Sequence, residues 1–386
     1  MTTDRITIGG RSYLRGRKMN GPAFAFLATR DILLGPFFKS KKAPLPQGSD
    51  LAQICVCQID HLGDLLIITP FLIELRKFAP QARITLVVGR WCSELAEVLR
   101  AGGLVDECII YTAWQMDSSP RNFFTKMYES WGTLVSAARK LRVKKLDAFF
   151  DLRPWSPNAW LLAHLSRAKL RVGYGLRGMA DVYNCIPAFS AEKSTGQTHL
   201  EALQVLTGKN YVFAAPVLPP VPKPTHLKLP TSDYWVAQPF SREAARNIPV
   251  GTWKDILLRL ARRLPVVLVG ASVDAERAKD LIDLPEVTSL IGRTSICDML
   301  GVIQQSRGVV SIDSFAPHVG LAYAKKVAVL MVENTSNNRS FPENNPNLKF
   351  FPAAFESGEA IELFFANSLK PSPKSPTVSG RQADHF

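Results

Sequence analysis

The sequence predicts an α/β protein of two Rossmann-like, doubly wound domains facing an interdomain cleft. Three observations lead there. A chain of 386 residues exceeds one ordinary domain, since domains most often run to about 100–200 residues. In both halves short apolar runs alternate with helix-like periodicity, the pattern of parallel βαβ units. Between the halves, residues 216–230 carry six prolines and little periodicity, which reads as a linker.

In the first domain, residues 51–215, strands are expected at 54–59, 83–88 and 107–111, at Phe149 and Phe150, and ending near 171–175. Helices are expected at 65–78, 93–100 and 122–141. In the second, residues 231–350, strands at 234–237, 266–269, 289–291, 308–312 and 327–332 alternate with helices at 253–263, 274–282, 296–305 and 317–324. A C-terminal helix within 351–369 is expected to pack back on the first domain, and the polar tail, 370–386, to be disordered. Ligands of such sheets bind outside the carboxyl ends of the strands, here between the domains.

The apolar fraction of 46% and charged fraction of 21% exclude disordered, collagen-like and disulfide-scaffold classes, and each half can bury its own core. The six cysteines lack metal-like pairing, and Cys55 and Cys57 read as small buried hydrophobes on one strand face. A net charge of +14 favours anionic partners. Residues 1–50 hold nine Lys or Arg against three Asp, so +6 of that charge lies in a basic N-terminal arm. Its basic residues alternate with apolar ones such as Phe26, Leu33 and Phe37, which suits an anionic membrane surface and suits a flexible arm without a partner equally well.

No apolar run approaches the roughly 18 residues that span a bilayer, because 23–38 is broken by Arg30-Asp31 and Pro36. No small-residue cleavage site follows an apolar core, so a cytoplasmic chain is expected, at most peripheral on a membrane. Nucleic acid is not expected as a partner, since no helix-turn-helix, zinc-finger or RNA-binding signature accompanies the charge.

Three constellations carry candidate chemistry. Asp64 follows Gly63 at the turn from the first strand into its helix. An acid there is stabilised by the helix dipole and needs no further role, but the glycine also permits close approach of a substrate. Asp313-Ser314-Phe315-Ala316-Pro317-His318 joins a strand to a helix whose free N–H groups suit a pyrophosphate, although Asp313 or Ser314 serves equally well as a plain cap. The loop 238–249 carries Ser241, Arg242 and Arg246, and an arginine there can neutralise a diphosphate, though most exposed arginines are simply solvated.

Taken in order, these segments resemble glycosyltransferase family 9, the ADP-heptose:lipopolysaccharide heptosyltransferases. Leu62-Gly63-Asp64 with Thr69-Pro70 is similar to that family's opening signature, Pro239, Ser241, Arg246 and Pro249 to its basic loop, Gly292-Arg293-Thr294-Ser295 to its Gly-Lys/Arg-Thr-Ser element, and Asp313 to His318 to its Asp-Thr-Gly-Pro-Met-His motif. The resemblance runs from about residue 54 to 342. It implies the GT-B architecture and an inverting transfer of heptose, without a metal or other cofactor, from a nucleotide sugar, ADP-heptose, to a lipopolysaccharide-core or other glycan hydroxyl. Asp64 is then the general base. Ser241, Arg246, Thr294, Asp313, Ser314, Phe315 and His318 fall on the donor side, with Asp274 or Glu276 near the nucleoside. Phe240 and Phe315 depart from the family's glycines, and Asn247 and Ile248 from its arginine and tryptophan.

Gly173-Tyr174-Gly175-Leu176-Arg177-Gly178 satisfies the dinucleotide fingerprint but lacks the helix that must follow, so it is set aside. His61 with Asp64 makes a poor metal pair. Two alternatives remain open on the sequence: a non-catalytic scaffold that binds nucleotide sugars or glycans, suggested by Phe315, and a GT-B epimerase.

Overall fold

A computed structural model describes residues 5–8, 11–14, 21–41, 43–117, 119–153, 159–176, 178–332, 338–354 and 357–366. An antiparallel hairpin, β1 (Arg5–Ile8) and β2 (Arg11–Leu14), precedes helix α1 (Gly21–Leu34). The first domain follows as β3 (Gln53–Gln58), α2 (Leu62–Ile67), α3 (Thr69–Phe78), β4 (Arg83–Val88), α4 (Ser93–Ala101), β5 (Glu107–Ile110), α5 (Phe123–Val143), β6 (Ala148–Asp151), α6 (Ala159–Ser166), β7 (Leu170–Gly173) and α7 (Thr195–Thr207). The second comprises β8 (Trp235–Gln238), α8 (Val250–Ala261), β9 (Val266–Leu268), α9 (Lys279–Ile282), β10 (Val287–Ser289), α10 (Ile296–Gln305), β11 (Gly308–Ile312), α11 (Phe315–Ala322), β12 (Lys326–Met331), β13 (Leu348–Pro352) and α12 (Ser357–Ala366).

Both domain sheets are parallel throughout. Their strand orders are β5-β4-β3-β6-β7 and β10-β9-β8-β11-β12-β13. Each order reverses next to the domain's first strand, so a crevice opens between β3 and β6 in one domain and between β8 and β11 in the other. Such switch points are where doubly wound sheets hold ligands. The strands read as near-continuous apolar runs, as at Ile84 to Val88 and Val309 to Ile312, because helices cover both faces.

Several expectations are corrected. The helix at 65–78 is two helices, because Pro70 has no N–H to give the Leu66 carbonyl; the Thr69 hydroxyl donates to it instead at 2.7 Å. The helix at 274–282 is reduced to α9, since Asp274 turns back to accept the Ala271 N–H at 3.2 Å. α12 packs on α8 of its own domain and not on the first: Phe365 lies 4.7 Å from the Trp235 ring and Glu362 pairs with Arg263 at 3.0 Å. The expected disordered tail lies outside the described residues.

The basic arm is not a loose segment between residues 28 and 40. Buried Asp31 accepts the Met179 N–H at 2.9 Å, and Phe38 packs edge-on against Trp160 and His164. Gly178, at φ +99°, leaves room for this contact, since a Cβ there would meet the Arg30 guanidinium at 2.3 Å. Of the glycines in the dinucleotide-like fingerprint, Gly178 thus makes room for α1, while Gly173 and Gly175 lie against Tyr183 and Ala180.

Nor are the cores fully separate. One cluster belongs to the first domain alone and another to the second alone, but the largest, from Leu51 to Phe341, runs through both. It passes through Leu218 and Val221 of the linker and through the contact of α2 with α11. The linker is pinned on both sides: the Val217 N–H donates to Thr69 Oγ1 at 2.8 Å and the Val221 N–H to Gln304 Oε1 at 2.8 Å.

Candidate active site

At the carboxyl end of β3 the chain turns through Asp60 and His61 into α2. The Asp60 carboxylate forms an ion pair with Arg153, which follows β6, so the pair bridges the first crevice. The same carboxylate accepts the His61 N–H at 3.0 Å, and the Asp60 carbonyl accepts the Trp91 indole N–H at 2.6 Å. Asp64 sits in the first turn of α2, half-buried, with its carboxyl hydrogen-bonded to that of Asp60. Burial and then the Asp60 charge push Asp64 from its ordinary 3.8 up to about 8, against the opposing pull of Arg153. Below that pH Asp64 carries its proton. Beneath them buried Asp151 accepts the Tyr183 hydroxyl, and burial raises it to about 7.

The second crevice has a matching bridge. Arg246 donates from Nη1 to the Asp313 carbonyl at 3.0 Å and lies 3.1 Å from the Asp313 carboxylate, while its Nε pairs with Glu243 at 3.0 Å. Burial raises Asp313, with Arg246 pulling the other way. The loop carrying Arg246 is closed by Asn247, whose amide accepts the Ser241 N–H at 2.7 Å and donates to the Ser241 carbonyl at 3.0 Å. The departure at 247 thus exchanges a charge for a locked turn. Phe240 and Ile248 are buried in the second-domain core, and the Arg277 guanidinium lies 4.9 Å over the Phe240 ring.

The helix start at α11 is narrower as an anion site than the sequence suggests. Pro317 has no N–H, and the Ala316 N–H is taken by Gln238 Oε1 at 2.9 Å. Of the first three helical positions, Phe315 alone keeps an N–H without a partner among the described residues, beside the uncapped Ser314 hydroxyl. The Phe315 ring is half-buried against the large core cluster.

The crevices face each other. His61 is pushed below its ordinary value by desolvation first, with Arg153, Arg242 and Arg246 adding to it and Asp60 opposing, so second-domain arginines act on a first-domain residue. Gly63 lies against His318, which is buried, stacked at 4.5 Å on Phe341 and lowered to about 3 by burial and Arg246; it is a neutral imidazole at physiological pH. Its Nδ1 has no hydrogen-bond partner among the described residues.

Asp64, Ser241, Arg246, Asp313, Ser314, Phe315 and His318 therefore converge on the two facing crevices. Asp274 and Thr294 lie farther along the second sheet's rim, after β9 and β10; buried Asp274 binds the Ala271 N–H and Arg277. Glu276 is exposed and paired with Lys279. Sequence reasoning missed Asp60, Arg153, Trp91 and Gln238. Two acids four residues apart across a strand–helix turn, and an arginine just after the neighbouring strand, were the available signals.

The sequence profile of glycosyltransferase family 9 (heptosyltransferase) matches residues 136–346, more than half of the chain, and this chain belongs to that family. The matched stretch holds the second-domain motifs and begins after Asp64. Among solved structures, a family 9 glycosyl transferase from Veillonella parvula DSM 2008 aligns with TM-score 0.66 at 19% identity, covering 85% of this chain and 92% of its own. E. coli ADP-heptose lipopolysaccharide heptosyltransferase II gives 0.68 at 16% identity over 82% and 98%, and E. coli heptosyltransferase WaaC with ADP gives 0.65 at 16% over 82% and 99%. No curated protein sequence matches the chain. The fold is GT-B, and the protein is a glycosyltransferase.

Proposed function

We propose that the enzyme transfers heptose from ADP-heptose to a hydroxyl of a lipopolysaccharide core or related surface glycan, with inversion at the anomeric carbon. The observation that carries this reading is the meeting of the two crevices: Gly63, next to Asp64, lies against His318, and Arg242 and Arg246 of the second domain act on His61 at the same turn. The nucleotide and sugar chosen follow the family's heptosyltransferases, two of whose solved relatives are described with ADP or ADP-heptose.

In the reaction the acceptor oxygen attacks the anomeric carbon and its proton passes to Asp64. The bond from that carbon to the diphosphate oxygen breaks, and its electron pair leaves with ADP. Arg246 Nη2, the Ser314 hydroxyl and the Phe315 N–H are the donors for the developing charge, and Arg246 is held in place by Asp313. Ser241 belongs to the turn that positions Arg246, and buried His318 backs the pocket. Thr294 and Asp274 or Glu276 lie on the rim toward the nucleoside. Burial and then the Asp60 charge raise the proton affinity of Asp64, so that its ionised form, which appears as pH rises through about 8, is a stronger base than an ordinary carboxylate. Such an acceptor is anchored in a membrane, and residues 1–50 are proposed as one point of contact with its anionic surface.

The test is heptose incorporation from ADP-heptose into lipopolysaccharide lacking core heptose, with ADP release measured in parallel. Transfer by the native chain and its loss in Asp64→Asn with nucleotide binding retained support the reading. Full transfer by Asp64→Asn removes Asp64 from the mechanism, and absence of ADP release by the native chain removes ADP-heptose as donor.

A further inference from the structure

Helix α5 buries Ser130, Leu134, Ala137, Ala138 and Leu141 against the first sheet. Its opposite side is not the polar surface that an amphipathic helix normally turns to water. Phe124, Tyr128, Trp131 and Val135, spaced four, three and four apart, fall on one stripe and are 75%, 83%, 55% and 41% exposed. The same spacing continues into exposed Arg139 and Arg142. A contiguous exposed apolar stripe of this kind marks a contact surface.

The chemistry of the stripe selects its occupant. Between residues 124 and 145 there are six Lys or Arg and one acid, Glu129, which is itself paired with Arg90 and Arg121. Tyr and Trp favour the boundary between headgroups and acyl chains, and Lys or Arg beside them favour anionic lipid. On the same face of the first sheet α6 packs against α5, and Phe38 seats the end of the arm on α6. There Leu33 is 62% exposed and Phe37 83% exposed, next to exposed Lys39 and Lys41, a second ridge of the same composition.

We propose that this helical face of the first domain, led by α5, lies on an anionic lipid bilayer, with its aromatic stripe at the headgroup level and Arg139 and Arg142 on lipid phosphates. The orientation suits a membrane-held acceptor. The aromatic half of α5 is tied by Glu129 to Arg90, whose neighbour Trp91 contacts Asp60, so the lipid-facing end of the helix borders the cleft. The surface itself is independent of which sugar is transferred.

The experiment is cosedimentation of the full chain with vesicles of phosphatidylethanolamine and phosphatidylglycerol, against vesicles of phosphatidylcholine. The native chain is expected to bind the anionic vesicles alone and less well as salt rises. Arg139→Gln with Arg142→Gln is expected to weaken binding about thirtyfold, at ~1 kcal/mol per charge. Tyr128→Ser with Trp131→Ser is expected to weaken it about tenfold or more. Unchanged thermal unfolding and unchanged ADP release on a water-soluble acceptor show that the variants keep their fold and cleft, and separate this result from any failure of the donor assignment. Three outcomes overturn the proposal: no binding by the native chain, binding that neither double variant weakens, or a native dimer that the aromatic variant converts to monomer, which assigns the stripe to a second copy.

Discussion

Gly63 of the first domain lies against the imidazole of His318 of the second, so closely that a Cβ on Gly63 would stand 3.2 Å from His318 Cδ2. This contact is one of those that join α2 to α11 between the two crevices. An alanine there requires the buried, stacked ring to give by a few tenths of an ångström. Gly63→Ala is therefore expected to lower the rate of transfer about tenfold while moving the unfolding temperature little, because a small misplacement of reacting groups is costly to rate and cheap to stability. Steady-state kinetics beside a thermal melt checks it, and a native rate in the variant removes the contact from catalysis.

Asp64→Asn carries two expectations. Transfer falls by about 10²–10⁴ when the base is removed. Stability moves the other way, because the native Asp64 is raised from 3.8 to about 8 and binds its proton more tightly folded than unfolded. That contribution is complete below pH 4 and is lost as pH rises through 8. The asparagine variant has no such loss, so its advantage in stability should grow between those limits by ~2 kcal/mol or more. Denaturation at several pH values measures the difference; parallel curves refute the raised carboxyl.

The pH dependence of turnover follows from the same pair. A base active only when ionised gives a kcat/KM that rises with pH through about 8 in the free enzyme. Replacing Asp60 by Asn removes the neighbouring negative charge and frees Arg153 to act on Asp64, and both effects favour the ionised base. The acid limb of the profile should move to lower pH in Asp60→Asn. A limb that stays in place excludes Asp60 as the group that tunes Asp64.

Arg246 is held by Asp313 and its loop by Asn247, so the two residues fail differently when changed. Arg246→Ala removes a charged hydrogen-bond donor and should weaken ADP binding about tenfold to hundredfold. Asn247→Ala keeps the charge and frees the turn, with a smaller loss of affinity. Equal losses would assign the effect to the loop and not to the guanidinium.

Much of this was legible in the sequence because apolar periodicity and turn residues are local. Most of the alternation from β3 to β12 and the Asp64 turn fall near where the residues put them, but α6 was not expected. α7 was missed although Ser194 caps it and Gly208 ends it at φ +65°, since Gly196 and a run of polar residues weaken its apolar stripe. The split between α2 and α3 was signalled by Pro70. The partnership of Asp60 with Arg153 was not legible, since it joins residues 93 positions apart and depends on β3 lying beside β6. The same holds for Gln238, which occupies a helix N–H from an adjacent strand and narrows the anion pocket that the motif alone leaves open. Nor was it legible that residues 28–40 of the basic arm dock on the first domain through Asp31 and Phe38.

The most direct test is calorimetric titration of the native chain with ADP, GDP, UDP and CMP, with thermal unfolding in the same ligands. Selective binding of ADP is expected, with stabilisation of about 2.7 kcal/mol at ~100 times its dissociation constant and loss of that stabilisation in Arg246→Ala. Selective binding of another nucleotide, or ADP binding unchanged in Arg246→Ala, contradicts the assignment of the second-domain crevice as an ADP-sugar site.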